Sequence, residues 1–320
     1  MENNSNNLNQ ANMPMQNNIA DDEIDLRELF TAIWQGKWII IAITTLFAVA
    51  SVFYAINQPN IYKSEALLAP AEQDQQGGLG ALAGQFGGLA SLAGVNLGSG
   101  GGVDKTQMAL EVLKSRKFTS EFIQKHNILP DLMAAKEWNR ETNTVIYDEE
   151  LYFAEQNKWV REVNAPFKTK PSMQEAHKEF SKIVSANKNT ENGMVTIAIE
   201  HVSPYVAKLW VNWLIQDINA TMKQRDVLEA NKSSSFLTQQ LEQTKIADIR
   251  AVLYKLVEEQ TKTIMFANVR DEYVFKTIDP AFVPEEKFSP KRGLIVILSI
   301  LLASILSVFI VLMRYFSKKK

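Results

Sequence analysis

The fold of this chain is decided by WIIIAITTLFAVASVFYAI at Trp38–Ile56 and GLIVILSILLASILSVFIVLM at Gly293–Met313. Neither stretch contains a charged residue. Each is long enough to cross the roughly 30 Å hydrocarbon core of a bilayer as a helix. Because two spans return a chain to the side from which it started, we expect both tails in one compartment and residues 57–292 in the other.

The composition of the 320-residue chain is that of a globular domain held at a membrane. Its formal net charge of −2 gives no reason to expect a nucleic-acid partner. The absence of cysteine excludes disulfides, thiol catalysis and thiolate metal sites.

The first apolar stretch starts too late and is too long for a cleaved signal peptide, so we interpret it as a retained anchor. The Lys318–Lys320 ending favours a cytoplasmic C-terminus.

Two segments have a biased composition. Residues 1–20 are rich in Asn and Gln and are predicted to be disordered, because they bury too little apolar surface to offset the entropy of ordering. Residues 21–37 predict a short amphipathic helix that completes the tail before the first span. Residues 75–103 mix Gly and Ala with leucines and lack the Lys-Ser/Thr ending of a phosphate-binding loop. We expect them to form a mobile apolar loop that packs on neighbouring subunits or on the membrane.

The sequence between the spans predicts a mixed α/β base. Apolar and polar residues alternate after the Asn192-Gly193 turn, which indicates a half-buried strand. By the same criteria we expect strands at 61–70, 194–200 and 273–279, helices at 104–127 and 173–184, and short helices and loops at 132–165.

The longest helical segment begins at Ser203-Pro204, where serine is a typical N-cap and proline is tolerated in the first turn. Neither Pro nor Gly follows until Pro280. Since the strand at 273–279 must rejoin the base, the helix has to run outward and return, and the polar stretch Ser233–Thr244 is the candidate for its reversal. The predicted fold is an α/β membrane-proximal base with a long α-helical extension, flanked by two transmembrane helices. The expected limits are 1–37 for the first tail, 38–56 and 293–313 for the spans, 57–202 and 270–292 for the base, 203–269 for the extension and 314–320 for the second tail.

The approach to the second span and the span itself carry two further patterns. Three prolines before the span predict a semi-rigid extended strap that enters the bilayer at a fixed angle. The strap consists of Pro280, Pro284, Pro290 and Lys291. Within the span, small residues recur every four positions, a spacing that lets membrane helices approach closely. This candidate face for span packing or polymerase contact consists of Ser299, Ala303 and Ser307.

No pattern in the sequence indicates catalysis, a cofactor site or a metal site. The histidines His126, His177 and His201 share neither a helix face nor a metal-ligand spacing, so we interpret each as structural or exposed. No nucleophile-elbow, HExxH or phosphate-loop motif occurs. The acidic clusters at 148–150 and 258–259 are interpreted as solvated faces.

Several of these features, in this order, resemble the polysaccharide co-polymerases, the Wzz or chain-length-determinant family. The resemblance covers nearly the whole chain and corresponds to the kinase-free type, since no Walker A sequence occurs. The second span departs from the family in lacking internal glycines. The segments that carry the resemblance are Ile24–Leu29 and Trp34–Trp38 before the first span, the strand Tyr62–Ala66, the Gly/Leu-rich loop, Ala267–Arg270 and the proline-rich approach to the second span.

The resemblance implies a non-enzymatic protein of the Gram-negative inner membrane, with its large domain in the periplasm and both termini in the cytoplasm. It implies a homo-oligomeric ring that acts with a polysaccharide polymerase, and the growing lipid-linked glycan is a further candidate partner. The expected function is regulation of polysaccharide chain length, with the O-antigen of lipopolysaccharide as the first candidate. The alternative is a scaffold for export of capsule or exopolysaccharide. A two-span sensor is disfavoured, because its output module is expected after the second span, where the sequence has residues 314–320.

Overall fold

A computed structural model describes residues 26–71 and 104–319, and the chain divides into two compact units. The larger unit comprises the described residues of 57–291, and the smaller one comprises those before 57 and from 292 onward. The tail predicted to be disordered at 1–20 and the Gly/Leu-rich loop at 75–103 lie outside the described residues.

The helices and strands alternate irregularly along the chain. In order they are α1 (Leu26–Gln35), α2 (Lys37–Asn57), β1 (Tyr62–Pro70), α3 (Lys105–Lys114), α4 (Arg116–His126), α5 (Leu129–Met133), β2 (Ala135–Asn139), β3 (Thr144–Tyr147), β4 (Tyr152–Phe153), β5 (Lys158–Trp159), α6 (Met173–Ile183), β6 (Val184–Lys188), β7 (Val195–His201), α7 (Pro204–Gln243), α8 (Ala247–Val269), β8 (Phe275–Asp279) and α9 (Arg292–Lys319). Within the described residues, two helices are long and apolar enough to cross a membrane, over Lys37–Asn57 and Arg292–Ser317. Both apolar stretches of the sequence are therefore helical throughout.

A four-stranded antiparallel sheet forms the base of the larger unit, in the strand order β6-β7-β1-β8. In β7, one of the two central strands, the consecutive residues Ile197, Ala198 and Ile199 are all buried. The strand is therefore covered on both faces, and the prediction of a half-buried strand is wrong in this respect. In β1, Ser64, Ala66 and Leu68 are buried, while Glu65 and Leu67 between them are exposed. This period of two is typical of a strand with one solvated face.

Helices cover the sheet and enclose one hydrophobic core. The first half of α7 packs on β1 and β7, and α4 packs on α6. Aromatic rings connect these layers: the centroids of Phe122 and Phe180 are 5.4 Å apart, and those of Phe180 and Trp210 are 6.5 Å apart. All three side chains are at most 2% exposed. Since full burial of a large apolar side chain contributes about 1.5–3 kcal/mol, these rings hold the helices to the base.

The prediction of short helices and loops at 132–165 is wrong for most of that stretch. After α5 the chain forms two β-hairpins, β2–β3 and β4–β5. Their turns contain Asn143 and Asn157 in the left-handed conformation, with φ of 52° and 51°, which Asn tolerates better than most residues. These strands have five residues or fewer, too few for alternation to be recognised in the sequence.

The single helix expected at 104–127 is two helices, because the chain breaks at Ser115. This residue leaves α3 in an extended conformation with φ of −70° and ψ of 147°. Its side chain then caps α4 by accepting a hydrogen bond from the Phe118 N–H at 3.3 Å. Serine is among the preferred N-cap residues, so the break provides a stable start for the second helix.

The helical extension is an antiparallel pair formed by α7 and α8. Helix α7 has 40 residues and is about 60 Å long at 1.5 Å per residue. The reversal occupies Thr244–Ile246, at the far end of the stretch Ser233–Thr244 that was expected to contain it. Thr244 turns the chain out of the helix with φ of −91° and ψ of 123°. Helix α8 then returns along α7 to the base.

Candidate functional site

His126 has a structural position at the end of α4. Its Nε2 lies 2.8 Å from Asp217 Oδ2, and its ring stacks on Trp213 with 4.1 Å between centroids. The second carboxylate oxygen of Asp217 accepts a hydrogen bond from Lys125 Nζ at 2.5 Å. The carboxylate is nearly buried, so these contacts fix α4 against α7.

The other two histidines also serve structure. His177 Nδ1 lies 3.2 Å from Thr119 Oγ1. His201 is buried; its Nδ1 accepts from the Ser203 N–H at 3.0 Å, and its Nε2 lies 3.1 Å from Asp131 O. Burial lowers the pKa of His201, so the ring is neutral near pH 7 and donates through Nε2. Among the described residues, no group of His, Asp and Glu side chains converges as a metal site.

The acidic pair Glu258-Glu259, expected on a solvated face, is divided between two environments. Glu258 is exposed and forms an ion pair with Lys262 at 2.7 Å. Both carboxylate oxygens of Glu259 are shielded from solvent and have no hydrogen-bond partner in the part of the chain that the structure describes. Burial raises the pKa of Glu259. The expectation is correct for Glu258 and wrong for Glu259.

The helical extension is joined to the base through the side chain of Asn219, which is 4% exposed in the middle of α7. Its Oδ1 accepts from the N–H groups of Val274 at 2.8 Å and Phe275 at 2.9 Å. Its Nδ2 donates to Phe275 O at 3.0 Å. Pro70, the residue opposite Phe275 in β1, has no N–H to donate. The Asn219 Nδ2 therefore supplies Phe275 O with a donor that Pro70 cannot provide.

A second polar cluster lies beyond Asn219 on α7. One carboxylate oxygen of Asp226 accepts from Lys105 Nζ and from the Tyr273 hydroxyl, each at 2.6 Å. Burial and this carboxylate raise the pKa of Tyr273, so its hydroxyl keeps its proton and acts as a donor. Lys105 is the first residue of α3 and Tyr273 precedes β8. The cluster thus joins α7 to the start of α3 and to the returning chain.

The predicted proline strap is fastened along its length to β1 and the residue before it. Ser64 Oγ donates to Phe282 O at 2.6 Å. The Ile61 N–H donates to Ser289 O at 2.8 Å, within an isolated bridge between these two residues. Of the residues predicted for the strap, two are buried, Pro284 and Pro290, and two are exposed, Pro280 and Lys291.

The small residues predicted on the second span lie on the packed side of α9. Ala303 is 2% and Ser307 0% exposed, while Ser299 is half-buried. Helix α1 packs against α9 within this unit. Gly36, which follows α1, also lies close to α9, since an added Cβ would lie 2.2 Å from Val311 Cγ1. The glycine between α1 and α2 is therefore required by the close contact with α9.

The first span has a matching packed side. Ser51 and Ala55, which repeat the small-residue spacing weakly, are both buried. Near the same end of the unit, Arg292 Nε donates to Ala55 O at 2.9 Å. The carbonyl belongs to the last turn of α2, whose backbone oxygens have no partner within the helix. The two apolar helices thus share a polar contact.

A cleft in the larger unit gathers residues that the sequence analysis did not single out. Aromatic rings meet there: the centroids of Tyr62 and Trp138 are 5.6 Å apart with 81° between the planes, and those of Trp138 and Tyr205 are 6.0 Å apart. The three residues come from the start of β1, from β2 and from the start of α7, so no local motif indicates the site. This aromatic cleft is lined by Tyr62, Trp138, Arg140, Tyr205, Pro284 and Glu285, among others.

Comparison with known proteins gives one family and a set of related structures. Residues 22–126 match the family model described as Wzz: Chain length determinant protein. No curated protein sequence shows significant similarity to the chain. A full-length bacterial polysaccharide co-polymerase is 13% identical with a TM-score of 0.37, over 92% of this chain and 99% of that one. A fragment of WzzB, a polysaccharide co-polymerase from Salmonella Typhimurium, is 12% identical with a TM-score of 0.27, over 72% of this chain and 100% of that one.

Proposed function

Over residues 22–126 this chain belongs to the Wzz family of chain length determinant proteins, and we propose that it regulates the length of the O-antigen of lipopolysaccharide. The family resemblance found in the sequence is confirmed by that match. The observation that carries the proposal is the match itself, which extends from the first tail through the first span to the end of α4. As a member of this family the protein is a chain-length regulator and not an enzyme.

The proposed location is the Gram-negative inner membrane, with the larger unit in the periplasm and both termini in the cytoplasm. Support comes from the two apolar helices that precede and follow the larger unit. The three lysines at the C-terminus favour a cytoplasmic end. The proposed domain limits are those expected from the sequence, except that the spans extend over the apolar helices Lys37–Asn57 and Arg292–Ser317.

We propose that several copies assemble into a ring and that contacts between the helical extensions contribute to it. Large apolar side chains of this pair are exposed in a single copy, and Val269 is 83% exposed. Surfaces that contact other proteins typically expose many apolar side chains. The side chains concerned are Leu228, Phe236, Tyr254, Met265 and Val269.

The proposed partner in the membrane is the polysaccharide polymerase. We assign Ser299, Ala303 and Ser307 to packing between the chain's own helices, since Ala303 and Ser307 are buried within the smaller unit. A polymerase contact is then proposed on the exposed face of the same helix, formed by Leu298, Leu301, Leu302, Ile305 and Phe309. In this arrangement the protein acts as an oligomeric scaffold that sets how long the polymerase extends each chain.

The proposed function is tested by separating lipopolysaccharide from the parent, a deletion strain and the complemented deletion on a silver-stained gel. We expect the deletion to lose the clustered range of O-antigen lengths and complementation to restore it. An unchanged ladder would exclude O-antigen as the target, and secreted capsule or exopolysaccharide would then be measured in the same strains.

The contact with the polymerase is tested by two substitutions in α9. Ile305→Ala shortens an exposed side chain and is expected to weaken co-purification of the polymerase and to shift the lengths. Ser307→Leu introduces bulk on the buried face and is expected to lower the thermal stability of the protein. Normal polymerase recovery and normal lengths with Ile305→Ala would argue against a contact on the exposed face.

A further inference from the structure

We propose that the aromatic cleft binds a single neutral pyranose ring of the growing glycan. The inference rests on the proposed function and deepens it, because it names the chemistry that the larger unit recognises. The sequence singled out no sugar-binding cluster, whereas folding brings Tyr62, Trp138 and Tyr205 together.

The aromatic rings have the geometry of a binding surface and not of a closed core. Trp138 meets Tyr62 edge to face, and the planes of Trp138 and Tyr205 are inclined by 48°. Tyr205 is 49% exposed. The Trp138 Nε1–H donates to Asn143 Oδ1 at 3.0 Å, which fixes the orientation of the indole. The electron-rich face of an aromatic ring attracts the C–H groups that a pyranose presents on one side.

The charged residues of the cleft select a neutral ligand. Arg140 offers only donors and Glu285 only acceptors, and both side chains are exposed at the cleft. Neither has a hydrogen-bonding or ionic partner among the residues that the structure describes. Glu285 disfavours an anionic sugar and Arg140 disfavours a cationic one, and together the two groups carry no net charge. Sugar hydroxyls donate and accept, so they match both groups at once.

The size and connectivity of the cleft suit one ring of a longer chain. Its volume is about 210 Å³, below the roughly 300–1,000 Å³ of sites that enclose a whole drug-sized ligand. Tyr62 follows the last residue of α2 by five positions, and Pro284 precedes the first residue of α9 by eight. Two segments that line the cleft are therefore close in sequence to the two apolar helices.

The binding test uses the full-length protein in nanodiscs and saturation-transfer difference NMR. The probe is the oligosaccharide of one to three repeats obtained by mild acid hydrolysis of the parent strain's lipopolysaccharide. We expect Tyr205→Ala and Trp138→Ala each to weaken binding by about 3- to 10-fold, the loss of one aromatic contact. Phe167→Ala, which removes a ring that is 54% exposed and outside the cleft, is the matched control and is expected to bind normally.

Thermal unfolding of each variant is recorded alongside the NMR. Tyr205 is a surface side chain, so the midpoint of its alanine variant is expected to stay within about 2 °C of the parent. Binding that is equal in the parent and in Tyr205→Ala overturns the proposal. An equal loss in Phe167→Ala also overturns it, because the contact would then not depend on the cleft.

The same variants distinguish failure of the site from failure of the proposed function. A deletion strain with altered lengths, together with variants that bind the oligosaccharide normally, removes the sugar site and leaves the function. A deletion strain with an unchanged ladder, together with binding that depends on Tyr205, removes the proposed function and leaves the sugar site.

Discussion

Replacing Asn219 by alanine is expected to weaken the connection between the helical extension and the base and to lower the free energy of unfolding. The change removes three hydrogen bonds and leaves the Val274 N–H, the Phe275 N–H and Phe275 O without their side-chain partner. A buried polar group without a partner costs about 1–3 kcal/mol. Taking the lower half of that range for each group, the free energy of unfolding falls by about 3–6 kcal/mol.

The loss is measured as the midpoint of thermal unfolding of the full-length protein in detergent. For a domain of this size 1 kcal/mol corresponds to about 2–4 °C, so the midpoint is expected to fall by at least about 6 °C. Asn231→Ala makes the same chemical change at an exposed position of α7 and is expected to stay within about 2 °C. A midpoint for Asn219→Ala that matches the control would refute the role assigned to the amide.

Three further substitutions test other contacts. Glu259→Gln removes a charge whose oxygens are shielded and unpartnered; it is expected to raise the unfolding midpoint at pH 7. This gain in stability should shrink as the pH falls below the raised pKa of Glu259 in the folded protein, because the parent carboxyl then also loses its charge. The gain should be gone below the ordinary pKa of 4.5, where Glu259 is protonated in both states. Arg161→Gln breaks an ion pair at 2.8 Å that lowers the pKa of Glu175 to about 2; its destabilisation should be full above pH 4.5 and fade on acidification towards pH 2. Gly36→Ala should destabilise the smaller unit through its clash with Val311, and Val311→Ala should restore stability in the double variant; unfolding midpoints decide each case.

Features that depend on local spacing were predicted correctly from the sequence. The two apolar helices follow from uncharged runs, the existence of the strand β7 from its alternation, and the start of α7 from the serine that accepts the Val206 N–H at 3.4 Å. Each signal is contained in a few neighbouring residues, so tertiary packing has little opportunity to override it.

The exact position of the helix reversal and the features that depend on distant pairing were not predicted. The reversal at Thr244–Ile246 uses neither Gly nor Pro, so its position is not marked by the residue types that usually interrupt a helix. The side chain of Asn219 reads in the sequence as an interruption of an apolar helix face, and its partners lie some 55 residues later. The aromatic cleft is hidden for the same reason, because its rings come from three separate segments.

The pairing of β1 with β8 has a mechanical consequence. The first and last strands of the larger unit are neighbours in one sheet, and the bridge between Ile61 and Ser289 joins the same two chain segments again. The chain thus enters and leaves the unit through two neighbouring segments that are hydrogen-bonded to each other. A force that pulls the two chain ends of this unit apart therefore has to break the β1–β8 pairing and the Ile61–Ser289 bridge first.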